Sequence, residues 1–234
     1  MEKNPMMSRP VVKPELVDFM RKELKPFSGG LAEIEAYANE RGIPIIPHET
    51  AVFLNMIVGM LKPQRILEIG TAIGFSGSMM AQHLGEEGHL TTIDRFDIMI
   101  ERAKNNFEKM GLSDKVTLLE GDAANILPTL DETFDLIFMD SAKAKYYEFL
   151  PHCMRVLEEG GMLIIDDVFQ GGTILEDEKE IPRRVRKIHR RLNLLMDTVL
   201  NHPSLETSLV PLGDGLLMIK KIAPHDFSYI LEEI

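Results

Sequence analysis

Residues 68–76, Glu68-Ile69-Gly70-Thr71-Ala72-Ile73-Gly74-Phe75-Ser76, decide the fold. The segment closes a short β-rich run, Ile66-Leu67-Glu68-Ile69, passes through a turn of small residues and opens a stretch of helical spacing. In an open parallel sheet, ligands sit beyond the carboxyl ends of the strands, and small residues in the first strand-to-helix turn let backbone approach a ligand closely. An ordinary tight turn would read the same way. The dinucleotide fingerprint G-x-G-x-x-G is absent, because Thr71 and Ala72 separate Gly70 from Ile73-Gly74, so a nicotinamide enzyme is disfavoured.

Downstream, the β-rich runs Leu90-Thr91-Thr92-Ile93, Val116-Thr117-Leu118-Leu119, Leu136-Ile137-Phe138-Met139 and Met162-Leu163-Ile164-Ile165 alternate with segments of helical length. Strands apolar on both faces, alternating with helices, predict a parallel sheet covered on each side. Thr207 to Pro211 and Leu216 to Lys220 add two strand-like runs across Leu212-Gly213-Asp214-Gly215, whose Asp-Gly is a hairpin signal, so the sheet is expected to end in an antiparallel pair. Upstream, Leu31, Ile34, Tyr37 and Ala38 predict one helix, and Val52, Met56 and Met60 predict a second that runs to Pro63. One domain over 1–234 is the simplest organisation: helices over 1–61, an α/β core over 62–221 and a tail over 222–234.

The 234 residues, 44% hydrophobic, suffice for a full core and exclude a disordered chain. A net charge of -11 argues, taken as uniform, against nucleic acid or a membrane surface as partner. A single cysteine, Cys153, excludes an intrachain disulfide and a cysteine metal cluster, and suggests core filling in a reducing compartment. Met1 to Pro14 carries no apolar leader-like core, and no later run reaches membrane-helix length, so a cytoplasmic location is expected.

Acidic residues end successive strands. Asp94 lies about 20 residues beyond Gly74, where a ribose diol needs a carboxylate, and equally suits a helix cap before Arg95. Asp122, in Gly121-Asp122-Ala123, follows the third strand in the same way. Asp140 ends the fourth strand and Asp166-Asp167 the fifth, neighbours in a doubly wound sheet. Each alone reads as a loop cap; three carboxylates converging on one edge repel unless a cation sits among them, and all-oxygen ligands favour a hard ion such as Mg²⁺.

Together, Glu68 to Ser76, Asp94, Gly121-Asp122-Ala123, Asp140-Ser141-Ala142-Lys143 and Asp166-Asp167-Val168 resemble the class I S-adenosylmethionine-dependent, metal-dependent O-methyltransferases of catechol and caffeoyl-CoA type, from about Leu31 to Lys221. Within that family the chain looks closest to bacterial tRNA 5-hydroxyuridine methyltransferases, through Glu35-Ala36-Tyr37-Ala38, Ile66 to Gly74, Asn201-His202-Pro203 and Gly213-Asp214-Gly215-Leu216. The resemblance implies a Rossmann-like doubly wound seven-stranded sheet, mostly parallel, with a C-terminal antiparallel hairpin and preceding helices. It implies that Glu68, Gly70 and Ser76 line the methionine end of S-adenosylmethionine, with Asp94 at its ribose and Asp122 and Ala123 at its adenine. Ile46 would add a backbone contact and Asp140 would also touch the cofactor.

The resemblance also implies metal ligands at Asp140, Asp166 and Asp167, and Lys143 as proton acceptor or charge stabiliser beside Asp140. The family usually has Asn at the position of Asp167 and Ala at that of Ser141. A solvated lysine at a helix start is the plain alternative for Lys143, whose pKa a nearby cation would lower.

Arg183, Arg184, Arg186, Lys187, Arg190 and Arg191, with His189 among them, form a basic run. Val185, Ile188, Leu192, Leu195 and Val199 make it one face of an amphipathic helix. A solvated face is the plain reading; six cations in nine residues also suit a phosphate-tracking surface. Two activities follow: methylation of the 5-hydroxyl of a tRNA wobble uridine to 5-methoxyuridine, or methylation of a small catechol-like acceptor. A non-catalytic cofactor-binding protein is a third reading, against which the carboxylates and Lys143 argue. A homodimer is expected from resemblance.

Overall fold

The computed structural model describes residues 12–232; the leader reading of Met1 to Pro14 falls mostly outside them. Three helices come first: α1 (Pro14–Glu23), α2 (Gly29–Arg41) and α3 (His48–Leu61). Next come β1 (Arg65–Ile69), α4 (Phe75–Ala81), β2 (His89–Asp94), α5 (Asp97–Lys109), β3 (Val116–Glu120), α6 (Ala123–Ile126) and β4 (Phe134–Met139). The chain continues through α7 (Tyr146–Val156), β5 (Leu157–Ile165), α8 (Arg186–Val199), β6 (Leu205–Val210), β7 (Leu216–Lys221) and α9 (Tyr229–Glu232).

The seven strands form one sheet in the order β3-β2-β1-β4-β5-β7-β6. The first five pair in parallel; β7 runs antiparallel between β5 and β6. This is the expected doubly wound sheet with its hairpin. The order reverses at β1, which pairs with β2 on one side and β4 on the other, placing a ligand crevice over their carboxyl ends.

Strand alternation divides the core in two. Leu67, Ile69, Ile137, Met139, Leu163 and Ile165 face one layer with Tyr146, Leu150, Leu192 and Leu195. Ile66, Leu136, Phe138 and Ile164 face the other with Leu31, Leu54, Val58 and Met79. Cys153 is fully buried in the first layer, and burial pushes its thiol pKa far up, in line with core filling.

Three of these readings gain detail from the structure. In α3 the buried stripe is Ala51, Leu54 and Val58, whereas Met56 and Met60 are exposed; the helix is apolar nearly all round, so periodicity could not select its inward face. In α8, His189 turns inward beside Leu192 rather than outward with the charges. The hairpin forms as expected, with its loop one residue longer, 211–215 rather than 212–215, and Val210 paired to Leu216.

Candidate active site

Glu68 and Thr92 are cross-strand partners of β1 and β2, so their side chains share a face beneath α4. Ser76, in the first turn of α4, donates to Glu68 Oε1 at 2.5 Å and Thr92 Oγ1 donates to Oε2 at 2.6 Å; Thr71 Oγ1 lies 2.6 Å from Thr92 Oγ1. Glu68 is fully buried, and desolvation, partly offset by these two hydroxyls, pushes its pKa up to about 7. One of its oxygens is held by α4 and the other by β2, so Glu68 braces the first turn from below.

Gly70 adopts φ +107°, and a Cβ there would lie 1.9 Å from the Asp140 carbonyl oxygen. Its N–H donates to Ile93 O while Asp140 N–H donates to Ile69 O, so the glycine lets the ends of β2, β1 and β4 close on one another. Ala72 is left-handed at φ +45°, held by its N–H donating to Asp94 Oδ2 at 2.8 Å. Asp94 Oδ1 accepts from the N–H groups of Arg95 and Phe96 at 2.7 and 3.0 Å. Asp94 thus braces the first turn from the end of β2, and α5 begins beyond it at Asp97 without a side-chain cap.

Asp122 does cap its helix: Oδ1 accepts from Ala124 N–H at 2.9 Å, and Oδ2 pairs with Arg95 at 2.8 Å. That amide bond, ahead of the arginine, holds its pKa below the ordinary range. Ala123 follows it, half-buried, and Ile46 is buried in the α2–α4 layer before α3.

One sheet position away, the chemistry changes. Asp140 follows β4, Asp166 and Asp167 follow β5, and Asp166 N–H donates to Met139 O, which brings the two strand ends together. Burial raises the pKa of Asp140 to about 7, with the charge of Asp167 adding and Lys143 opposing. Asp166 is raised as well, by burial first and then by Asp140 and Asp167. Asp167 sits left-handed at φ +60°, a conformation that Asn and Asp tolerate best after glycine, which suits an Asx residue here.

Lys143 is the counter-charge. Its Nζ lies 3.0 Å from Asp167 Oδ2 and 3.3 Å from Asp214 Oδ2. Burial opposes its charge, but the attraction and hydrogen bonds of Asp167 and Asp214 prevail and hold its pKa above the ordinary lysine value. Tyr146, fully buried, fixes the preceding loop by accepting from Ser141 N–H at 3.1 Å and donating to Ser141 O at 3.3 Å.

Among the described residues, no three acidic, histidine or cysteine side chains are gathered into a metal-holding cluster. The donor chemistry nonetheless fits a hard cation: two strongly desolvated carboxylates, Asp140 and Asp166, repel each other and Asp167 against a single ammonium.

The basic run forms a short 3-10 turn, Arg183–Val185, and the start of α8, which packs against the turn at residues 143–145. Arg186 donates to Ile181 O and Lys179 O, Arg190 pairs with Glu178 at 2.9 Å, and Arg191 lies over the Tyr147 ring. Three of the six cations therefore have intramolecular partners. Lys187, Arg190, Arg191 and Leu194 line a shallow groove of about 320 Å³.

The sequence reading passed over Thr92, Tyr146 and Asp214. Thr92 could have been found as a hydroxyl inside an otherwise apolar run, in register with Glu68. Asp214 was absorbed by the hairpin signal. Tyr146 carries no signal of its own.

A family model for O-methyltransferases matches residues 31–222. The chain is 27% identical over 200 residues to a catechol O-methyltransferase of Mycobacterium tuberculosis, covering 84% of this chain and 88% of the relative. It is 26% identical over 200 residues to a caffeoyl-CoA O-methyltransferase of Populus kitakamiensis, covering 82% and 83%. The crystal structure of an SAH-bound methyltransferase from Podospora anserina superimposes with a TM-score of 0.78 at 25% identity, over 90% of this chain and 97% of that one. With the matched span running from α2 through β7 and taking in every strand-end residue described above, the chain belongs to the O-methyltransferase family and is an S-adenosylmethionine-dependent enzyme.

Proposed function

We propose that the protein methylates a hydroxyl of a small aromatic acceptor of catechol type. The observation that carries this reading is Lys143, bracketed by Asp167 and Asp214 at the edge where Asp140 and Asp166 also end, one strand from the Gly70 turn. The relatives named for catechol and caffeoyl-CoA support a small acceptor.

In this reading Gly70, Ser76, Asp94, Asp122, Ala123 and Asp140 line the cofactor, Glu68 supports them from below, and Ile46 adds a backbone contact. Asp140, Asp166 and Asp167 are the residues that would hold a hard divalent cation. When bound, the cofactor supplies a methyl made electrophilic by its sulfonium and Mg²⁺ supplies a Lewis acid that favours the deprotonated hydroxyl. The chain contributes position and charge. The β1 turn and the β4 and β5 ends are knit by backbone hydrogen bonds, so nucleophile and methyl are held by one rigid edge, and such alignment is worth roughly 7 to 11 kcal/mol in favourable cases. Lys143, as an ammonium, favours the deprotonated form of the acceptor hydroxyl, whose proton passes to solvent before the oxygen takes the methyl; this is the charge-stabilising alternative of its two expected roles.

The tRNA reading keeps one supporting observation, the groove of Lys187, Arg190 and Arg191 on the helix packed against the Lys143 turn. The partners already held by Arg186, Arg190 and Arg191 weaken it, and the catechol reading fits the relatives better. A homodimer is proposed on the exposed Leu16, Phe19, Met56 and Met60 of the packed pair α1 and α3. Among the described residues no helix is long and apolar enough to cross a membrane; a cytoplasmic location is part of the proposal.

The reading is tested by product mass spectrometry after incubation with S-adenosylmethionine and catechol, with Mg²⁺ or with excess chelator. Monomethylated catechol that depends on Mg²⁺ is expected. Full turnover in chelator overturns the metal assignment, and no methylated catechol in either arm overturns the acceptor class.

A further inference from the structure

The β6–β7 loop carries a carboxylate that the turn itself does not need. A five-residue loop can place any polar residue at 214, yet Asp214 is buried, 7% exposed, and its side chain leaves the hairpin. Burying a carboxylate is costly unless donors compensate it. Asp214 has two: Gly171 N–H donates to Oδ1 at 2.6 Å, and Lys143 Nζ reaches Oδ2 at 3.3 Å. Through these contacts one side chain ties the loop after β4 to the loop after β5.

The loop is also wedged in place. Gly215, at φ +90°, has the Phe169 ring where a Cβ would stand, 2.1 Å away, and Gly213 lies against Thr50 and Pro47. Phe169 N–H donates to Asp214 O and Val168 N–H to Gly215 O, at 2.9 and 3.0 Å. The other carboxylate on Lys143 differs. Asp167 has a 32% exposed side chain, and it is one of the residues proposed to hold a cation. The Asp167 contact is the shorter of the two but lies open to solvent, whereas the buried, doubly anchored Asp214 holds the amine away from water.

We propose that Asp214 is a positioning residue for methyl transfer: it holds the Lys143 ammonium at the shared end of β4 and β5 independently of Asp167. This rests on the O-methyltransferase reading of the site and on the role proposed there for Lys143.

The test compares Asp214→Asn, Asp214→Glu and Lys143→Ala in the full chain, with two readouts. The first needs no turnover: trace labelling of lysines by acetic anhydride, with Lys143 followed by peptide mass spectrometry. The second is steady-state methylation of catechol, with cofactor Kd by calorimetry. Asp214→Asn is expected to label Lys143 several-fold faster and to lower kcat about 10-fold or more, with KM and cofactor Kd within about twofold, since a hydrogen bond to a charged group is lost. Asp214→Glu is expected to recover most of both effects, and Asp214→Asn in the Lys143→Ala background is expected to cost nothing further.

Unchanged Lys143 labelling and kcat in a folded Asp214→Asn chain overturn the proposal, as does an equal additional loss in the Lys143→Ala background. If Asp214→Asn does not fold, Asp214→Glu decides alone: labelling and kcat near the parent's support the clamp, and a folded protein with free Lys143 and parental kcat refutes it. If the parent chain methylates no catechol, the acceptor reading fails while the labelling comparison still decides the position of Lys143.

Discussion

Two clusters of acid residues sit on adjacent strands of one sheet edge, and they are neutralised in opposite ways. Beneath the first turn, Glu68 is fully buried, yet each of its oxygens accepts a hydrogen bond from a hydroxyl, one from Ser76 and one from Thr92. At the ends of β4 and β5, Asp140 is raised by burial and by Asp167, and Asp166 by burial, Asp140 and Asp167, with the Lys143 ammonium opposing both. The first cluster is complete within the chain and acts as a brace. The second carries more negative charge than its neighbours offset, which is the arrangement expected where a cation and a reacting oxygen are to be received.

The largest expected effect breaks the second cluster at its one cation. Lys143→Ala should lower kcat by about 10² to 10³-fold, the usual scale for losing a charge-stabilising group, with cofactor Kd nearly unchanged. A kcat within threefold of the parent would leave the clamp structural only. Next, Asp140→Asn should trade function for stability. Relieving the repulsion should raise the melting temperature of the cation-free protein, by about 2 to 4 °C per kcal/mol for a chain of this size, while methylation falls. Mg²⁺ should raise the melting temperature of the parent and leave that of Asp140→Asn almost unmoved.

The brace gives smaller and differently signed effects. Glu68 has a folded-state pKa of about 7 against an ordinary 4.5, so its contribution to stability is fully present below pH 4.5 and is lost as pH rises through 7. Thermal melts between those limits should show that loss in the parent and a flatter profile in Glu68→Gln. Thr92→Val, which removes one hydroxyl, should cost about 1 kcal/mol in denaturant unfolding. The smallest effect concerns the basic helix. Arg183→Gln with Arg184→Gln should change kcat/KM for catechol by less than about twofold. If tRNA binding is found instead, about three available cations predict a log-log salt slope of roughly -2 rather than the roughly -4 of six.

Strand positions and strand-end acids were legible because apolar runs in alternation with helices admit few arrangements, and a doubly wound sheet sends every strand end to one edge. The convergence of Asp140, Asp166 and Asp167 followed from that, whereas Lys143 was singled out by the family resemblance. The partners of those residues were not legible, because they depend on register and on loop paths. Glu68 meets Thr92 only through the β1–β2 register, and Asp214 meets Lys143 only because the hairpin returns β7 beside β5. Asp94 shows the same gap: read as a ribose ligand or a helix cap, it is found bracing Ala72 across strands. In α3 the sequence was apolar on too many sides to declare a face, and in α8 a histidine counted with the cations packs inward beside Asn193.

The most direct test is a competition in one vessel: the purified chain with S-adenosylmethionine, Mg²⁺, catechol and tRNA bearing 5-hydroxyuridine, with both products read by mass spectrometry. Monomethylated catechol and unmodified tRNA are expected. Methylated tRNA with catechol untouched would contradict the catechol reading.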